Sequence, residues 1–242
     1  VEKLDAAGLL PAIYFIFSRA GCDQAVGQLM GSGLRLTTPG ERAELDEIAA
    51  RHTASLTDDD LDALDYRTFS EALRRGIAAH HAGMLPAFKE CVEEAFVRGL
   101  VKIVFATETL ALGINMPARS VVLEKLVKFN GEAHVDVTPG EYTQLTGRAG
   151  RRGIDVEGHA IVLWQRNFDP RMVAGLASRR TYPLKSSFTP SYNMAVNLVG
   201  TVGRERARTL LEQSFAQYQS DRSVVGLSRA VARNTERAAE LW

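Results

Sequence analysis

Ala12-Ile-Tyr-Phe-Ile-Phe17, closed by Ser18-Arg19-Ala-Gly21, decides the fold class. Apolar residues follow one another here without a polar face for water. A strand with one wet side would alternate, so this run reads as a strand covered on both faces, as in a parallel sheet. Behind it Cys22, Ala25, Val26, Leu29 and Met30 recur at helical spacing, and Gly31-Ser-Gly33 ends the pattern. Working outward, the alternation repeats. Ile77-Ala-Ala is a short strand. Pro86 opens a helix where proline is tolerated, with Phe88, Cys91, Val92, Ala95 and Phe96 on one face and Gly99 as its cap. Val101–Ala106, Ser120–Leu123 and His159–Leu163 are the remaining strands. Strands alternating with helices predict right-handed βαβ units and a parallel α/β sheet.

Two helix-like stretches, Glu41–Arg51 and Asp58–Arg75, interrupt this rhythm. Ten acidic and three basic residues lie between Glu41 and Glu71, so the region reads as a mostly exposed insertion with Asp46-Glu47 on a solvated face. After Leu163 no strand pattern is strong. Tyr192–Val199 and Glu205–Tyr218 read as helices, the second carrying Ala207, Leu210, Leu211, Phe215 and Tyr218 on one face. The expected division is a sheet domain over residues 1–175 and an incomplete, mostly helical region over 176–242.

The 242 residues are 45% hydrophobic and 24% charged, which is globular composition, and 29 basic residues balance 29 acidic ones. The balance is uneven along the chain. Arg166 to Arg237 holds twelve basic and five acidic residues, so this half is the expected face toward a polyanion. Cys22 and Cys91 both fall at apolar helical positions and read as structural thiols in a reducing cytoplasm. No apolar run is long enough to span a bilayer, so no membrane partner is expected. The opening Val-Glu-Lys lacks an initiator Met, which reads as a fragment of a longer protein.

Four segments carry chemistry. Gln144-Leu-Thr-Gly-Arg148-Ala-Gly-Arg151-Arg152-Gly153 interleaves arginines with glycines. Guanidinium forks stay charged at any working pH and match phosphate oxygens, while glycines let the backbone approach closely. The loop Thr107-Glu108-Thr109 through Gly113, Asn115 and Pro117 leaves the end of a strand, where ligands of open α/β sheets bind. It reads either as a phosphate- or ribose-contacting loop or as a plain strand-to-helix connection. His80-His81-Ala-Gly83 precedes a helix, and neither histidine has a partner at metal-ligand spacing, so no metal site is expected. Ser18-Arg19 ends the first strand at the same sheet edge, as a phosphate contact or a plain cap. Gly-Lys occurs nowhere in the chain, so there is no lysine-containing phosphate loop, and a complete ATP site would need a second domain.

Taken in order, these segments resemble the C-terminal RecA-like lobe of superfamily-two helicases. Phe15-Ile-Phe-Ser-Arg19 is similar to motif IV and His80-His-Ala-Gly-Met-Leu-Pro86 to the loop that follows it. Ala106-Thr-Glu-Thr-Leu-Ala-Leu-Gly-Ile-Asn-Met-Pro-Ala118 is similar to motif V, and Gln144–Gly153 to motif VI. The Asn115-Met-Pro-Ala118 ending resembles the Ski-like (superkiller and exosome-associated) DExH-box RNA helicases. Ser187-Phe188, Tyr192-Asn-Met194, Asn197-Leu198 and Ser214–Gln219 resemble the start of the winged-helix region that follows the lobe.

The resemblance implies a RecA-like sheet flanked by helices, followed by a partial winged-helix-like domain. It implies that Arg148 and Arg151 are arginine fingers for the γ-phosphate of ATP, and that Gln144 positions the attacking water or the phosphate. Gly113 and Asn115 would lie at the nucleotide edge, where related helicases often carry Asp instead of Asn115. Ser18, Arg19, His81, Gly83 and Thr107 would line the backbone track of single-stranded or partly duplex RNA. Glu108 would tie motif V to motif VI by an ion pair. Magnesium and most of the ATP would sit on an N-terminal lobe of the same parent protein. The alternatives are a lobe of a repair-type DNA helicase and a non-catalytic nucleic-acid-binding module. On the main reading the arginines are free of internal carboxylates and share a sheet edge with the threonine loop.

Overall fold

A computed structural model describes residues 1–111, 116–129, 132–166, 169–178, 186 and 188–221. The chain divides into two compact units, Val1–Arg180 and Thr181–Trp242. In the first, β1 (Ala12–Phe15), β2 (Ile77–His80), β3 (Ile103–Ala106), β4 (Ser120–Leu123) and β7 (His159–Val162) form one sheet in the order β2-β3-β1-β4-β7. Every neighbouring pair is parallel, with Ile13 opposite Val104 and Val121. The first unit is thus the parallel α/β sheet that the apolar run predicted.

Period-two alternation explains why that run has no polar face. Ile13 and Phe15 point into one core, together with Leu45, Ile48, Val92, Phe96 and Leu145. Ala12 and Ile16 belong to the other, with Cys22, Val26, Ile103 and Phe105. α1 (Glu2–Ala6) and α2 (Arg19–Gly31) serve the second core. α3 (Pro39–Thr53), α6 (Pro86–Val97) and α7 (Pro139–Thr146) serve the first. Cys22 and Cys91 are buried free thiols whose pKa burial pushes up to about 12.

The acidic stretch is only in part the exposed insertion that its charge suggests. α3 places Leu45 and Ile48 at 0% exposure in the core, and each such burial stabilises by about 1.5–3 kcal/mol. On its outer side Arg51 and His52 meet Glu94 of α6 at 2.9 and 2.8 Å. The charge count hid an i, i+3, i+4 apolar triplet, Leu45-Ile48-Ala49. The second stretch is two helices, α4 (Asp58–Ala63) and α5 (Tyr66–Arg74), separated by Asp65 with φ of 50°. α4 has no buried residue, so it alone is the solvated acidic element. α5 buries Ala72 and Leu73 and stacks Phe69 on Phe88 with ring centroids 4.3 Å apart.

Beyond β4 the chain forms an antiparallel pair, β5 (Val127–Phe129) and β6 (His134–Asp136), before α7. α8 (Pro170–Ser178) ends the described part of the first unit. The second unit holds α9 (Tyr192–Val202) and α10 (Arg204–Glu212), with a turn at Gln213-Ser214 before the helical residues 215–221. The single helix expected over Glu205–Tyr218 is therefore broken. Among its described residues only Ala207 is buried, while Tyr192 and Val196 are 94% and 71% exposed. No helix among the described residues is long and apolar enough to cross a membrane.

Candidate nucleic-acid cleft and arginine loop

Parallel strands deliver their carboxyl ends to one edge of the sheet. At that edge the turns after β1 and β3 enclose an open cleft of about 480 Å³ lined by Ser18, Arg19, Thr107, Thr109, Lys128 and Phe129. Ser18 caps α2, its Oγ accepting from the Gly21 N–H at 3.2 Å, which leaves its own O–H free to donate. Arg19 is exposed and has no carboxylate partner among the described residues. Thr107 and Thr109 share a hydroxyl–hydroxyl bond of 2.9 Å. Phe129 is 56% exposed at the rim, tilted against His134. Phe129 is a site residue that the sequence reading missed. Its signal was present as Asn130-Gly131, a hairpin dipeptide between two short alternating runs.

The histidine loop supports this edge from beneath. His81 is 6% exposed, with Nε2 3.0 Å from Asp23 and Nδ1 accepting from the Gly83 N–H at 3.2 Å. Both ring nitrogens are occupied, so the ring braces the loop and does not face the cleft. The loop's contribution comes through Gly83, where a Cβ would come within 3.4 Å of Arg19 Cδ. His80 is buried against Glu93 at 2.8 Å, and desolvation lowers its pKa, keeping the ring neutral. Among the described residues no group of three His, Cys, Asp or Glu side chains could hold a metal ion.

Glu108 begins the turn after β3, a single 3-10 turn over Glu108–Ala111. Its ion-pair partner is Lys128 of β5, at 2.5 Å, and not an arginine of the 148–153 segment. Lys128 also meets Glu141 at 2.7 Å. Glu141 in turn closes the capping box of α7 with Thr138. The expected tie between the two segments thus runs indirectly, through Lys128 to the first turn of α7. Burial opposes the charge on Lys128, but its two carboxylates outweigh it and raise its pKa. Burial likewise opposes ionisation of Glu141, and the Lys128 and Thr138 hydrogen bonds reverse that, lowering its pKa.

α7 then carries the chain away from the cleft edge. Its eight residues span about 12 Å. The segment after α7 therefore lies toward the amino side of β4, where Ala118 donates to the Arg148 carbonyl at 2.9 Å and accepts from Gly150 at 2.7 Å. The backbone of the arginine segment thus departs from the expected shared edge, while the Arg148 guanidinium reaches back to Ala111, where the turn that holds Thr109 ends. Gly158 permits the approach, since a Cβ there would lie 2.5 Å from the Ala149 carbonyl carbon.

The two arginines differ. Arg148 has no carboxylate partner among the described residues, and its Nη2 donates to the Ala111 carbonyl at 2.5 Å. Arg151 does not stand free as expected. Asp155 clasps it through Nε at 2.7 Å and Nη2 at 2.8 Å, and also accepts from its backbone N–H at 3.0 Å. The Arg151 hydrogen bonds hold the Asp155 carboxyl down at about 2. The fork geometry leaves Nη1 of Arg151 unclaimed by Asp155. Arg152 is exposed, and so is Gln144, in the last turn of α7. Gly113 and Asn115 lie outside the described residues.

Residues 52–153 match the helicase conserved C-terminal domain family. The whole chain aligns with a probable helicase HelY of Mycobacterium tuberculosis at 65% identity, covering 27% of that protein. It aligns over its full length with superkiller complex protein 2 of Mus musculus at 40% identity, covering 19% of it. Human exosome RNA helicase MTR4 is 37% identical over 98% of the chain, which covers 22% of that relative. The chain thus spans about a quarter or less of the length of these relatives.

Proposed function

The chain belongs to the Ski-like superfamily-two helicases as their C-terminal lobe, and from that membership we propose that it is one half of an ATP-driven RNA motor. The observation that carries the reading is the division of labour along α7. A cleft with hydroxyls and an arginine that has no carboxylate partner among the described residues lies at one end, and an arginine loop at the other. The cleft grips single-stranded RNA by its backbone, through Ser18, Arg19, Thr107 and the Gly83 loop. Such contacts ignore sequence and weaken with salt. Phe129 at the rim offers a face on which a base stacks.

The arginine loop acts on ATP that a second, phosphate-loop lobe holds together with magnesium. Arg148, and Arg151 through its unclaimed Nη1, meet the γ-phosphate when the lobes close. They stabilise the charge of the transferring phosphoryl group. Gln144, in the last turn of α7, orients the attacking water. ATP hydrolysis thereby opens and closes a cleft whose other surface holds the strand, and the strand advances. Residues of the second unit form the start of a winged-helix region, and the protein works in the cytoplasm.

Fluorescence anisotropy on the purified chain tests both halves of this reading. We expect it to bind single-stranded RNA with little sequence preference, more weakly as salt rises, and to hydrolyse no ATP by itself. Robust ATP turnover by this chain alone contradicts the split site. Salt-independent binding or no binding contradicts the cleft. Matched RNA and DNA strands in the same assay distinguish an RNA motor from a DNA-repair relative.

A further inference from the structure

Lys128 is held by two carboxylates that belong to different working parts. Glu108 starts the turn leaving the cleft, and Glu141 sits in the first turn of α7. The Lys128 side chain is only 13% exposed, with Nζ 2.5 Å from one carboxylate and 2.7 Å from the other. The far end of α7 returns to the same turn, because Arg148 donates to the Ala111 carbonyl where that turn ends. The contacts close a ring: Glu108, Lys128, Glu141, the body of α7, Arg148, Ala111 and back along the turn to Glu108. A helix is stiff along its axis, so a shift of the turn beside Thr107 and Thr109 moves both ends of α7 together.

We propose that Lys128 is a positioning residue that couples occupation of the cleft to the arginine loop, through the Glu108–Lys128–Glu141 bridge and α7. The proposal rests on the motor reading above. Without the ammonium, Glu108 and Glu141 face each other as like charges and the ring opens at this point. Arg148 then keeps its place in the loop, but its position no longer responds to what the cleft holds.

The test is ATP turnover by the full-length protein with and without saturating oligouridylate, expressed as the ratio of the two rates. Glu141→Gln, at a residue outside the cleft lining, lowers that ratio about tenfold, the scale of an ordinary coupling free energy, while the RNA concentration for half-maximal stimulation stays within about twofold; Lys128→Met lowers the ratio as well. Lys128→Arg, a cation able to span two carboxylates, restores most of the ratio. A misfolded fraction lowers both rates equally and leaves the ratio unmoved, so simple destabilisation does not mimic the effect. Glu141→Gln keeps the first turn of α7, since glutamine still serves the capping box. An unchanged ratio overturns the proposal. So does weaker RNA binding in Lys128→Met beside an intact ratio in Glu141→Gln, which makes Lys128 a plain phosphate contact. Wild-type protein that shows no RNA stimulation contradicts the motor reading itself, whereas stimulation that survives Lys128→Met contradicts only the coupling.

Discussion

In the cleft, Arg19 stands exposed without a carboxylate partner among the described residues, whereas beyond α7 Arg151 is clasped on two nitrogens by Asp155 and Arg148 is bonded to a backbone carbonyl. Exposed, unpaired cations suit a ligand that arrives, slides and leaves, since nothing has to be displaced. Cations already anchored on one edge suit a step that needs fixed geometry. A guanidinium locked by a bidentate pair loses little further freedom when phosphate reaches its open side.

Substitutions at the two ends should therefore fail in different ways. Arg151→Ala in the full-length protein lowers ATP turnover about 10³-fold, the scale of an arginine finger, while RNA affinity largely survives. Steady-state turnover and anisotropy on the same preparation check the split, and near-normal turnover removes Arg151 from the role. Gly158→Ala strikes the loop through its packing, by driving a Cβ into the Ala149 carbonyl. It should cost about 1–3 kcal/mol in urea unfolding, and an unchanged midpoint means the loop has room that its geometry denies. Arg19→Ala does the converse of Arg151→Ala. RNA binding weakens several-fold to about tenfold and the salt slope falls by about one, with no sequence dependence. A slope that stays the same takes Arg19 off the track.

The smallest effect concerns pH. Hydrogen bonds from Arg51, then His52, hold Glu94 at about 2 against an ordinary 4.5, and Asp155 is held at about 2 against 3.8. Both shifts are downward, so the stability they add is full above the ordinary values and is lost as pH falls toward about 2. Thermal melting of Glu94→Gln should therefore converge on wild type below pH about 3 and diverge above 4.5. Parallel curves across that range contradict the clamp between α3 and α6.

Much of the sheet was legible because its strands are buried on both faces, and a double-sided strand writes itself as an unbroken apolar run. The cleft was legible for the related reason that parallel strands bring Ser18, Arg19 and Thr107 to one edge. The reading failed where charge or turns carried the information. Ten acidic residues masked the Leu45-Ile48-Ala49 triplet, and α3 was taken for a solvated helix. β5, β6 and α7 were missed although Asn130-Gly131 and the Thr138-Pro139-Gly-Glu141 capping box announce them. Without α7 nothing in the sequence showed that a helix separates the backbone of the arginine segment from the Glu108–Lys128 pair. Asp155 went unnoticed because an i+4 carboxylate after an arginine is an ordinary surface pattern until a tight loop turns it inward.

A structure of the full-length protein with RNA, ADP and aluminium fluoride tests the central claim most directly. The account predicts a nitrogen of Arg148 and Nη1 of Arg151 within about 3 Å of the fluoride ligands, with the RNA backbone along Ser18, Arg19 and Thr107. Both guanidiniums remote from the phosphoryl mimic, with Arg151 still engaged only by Asp155 in a closed complex, would contradict it.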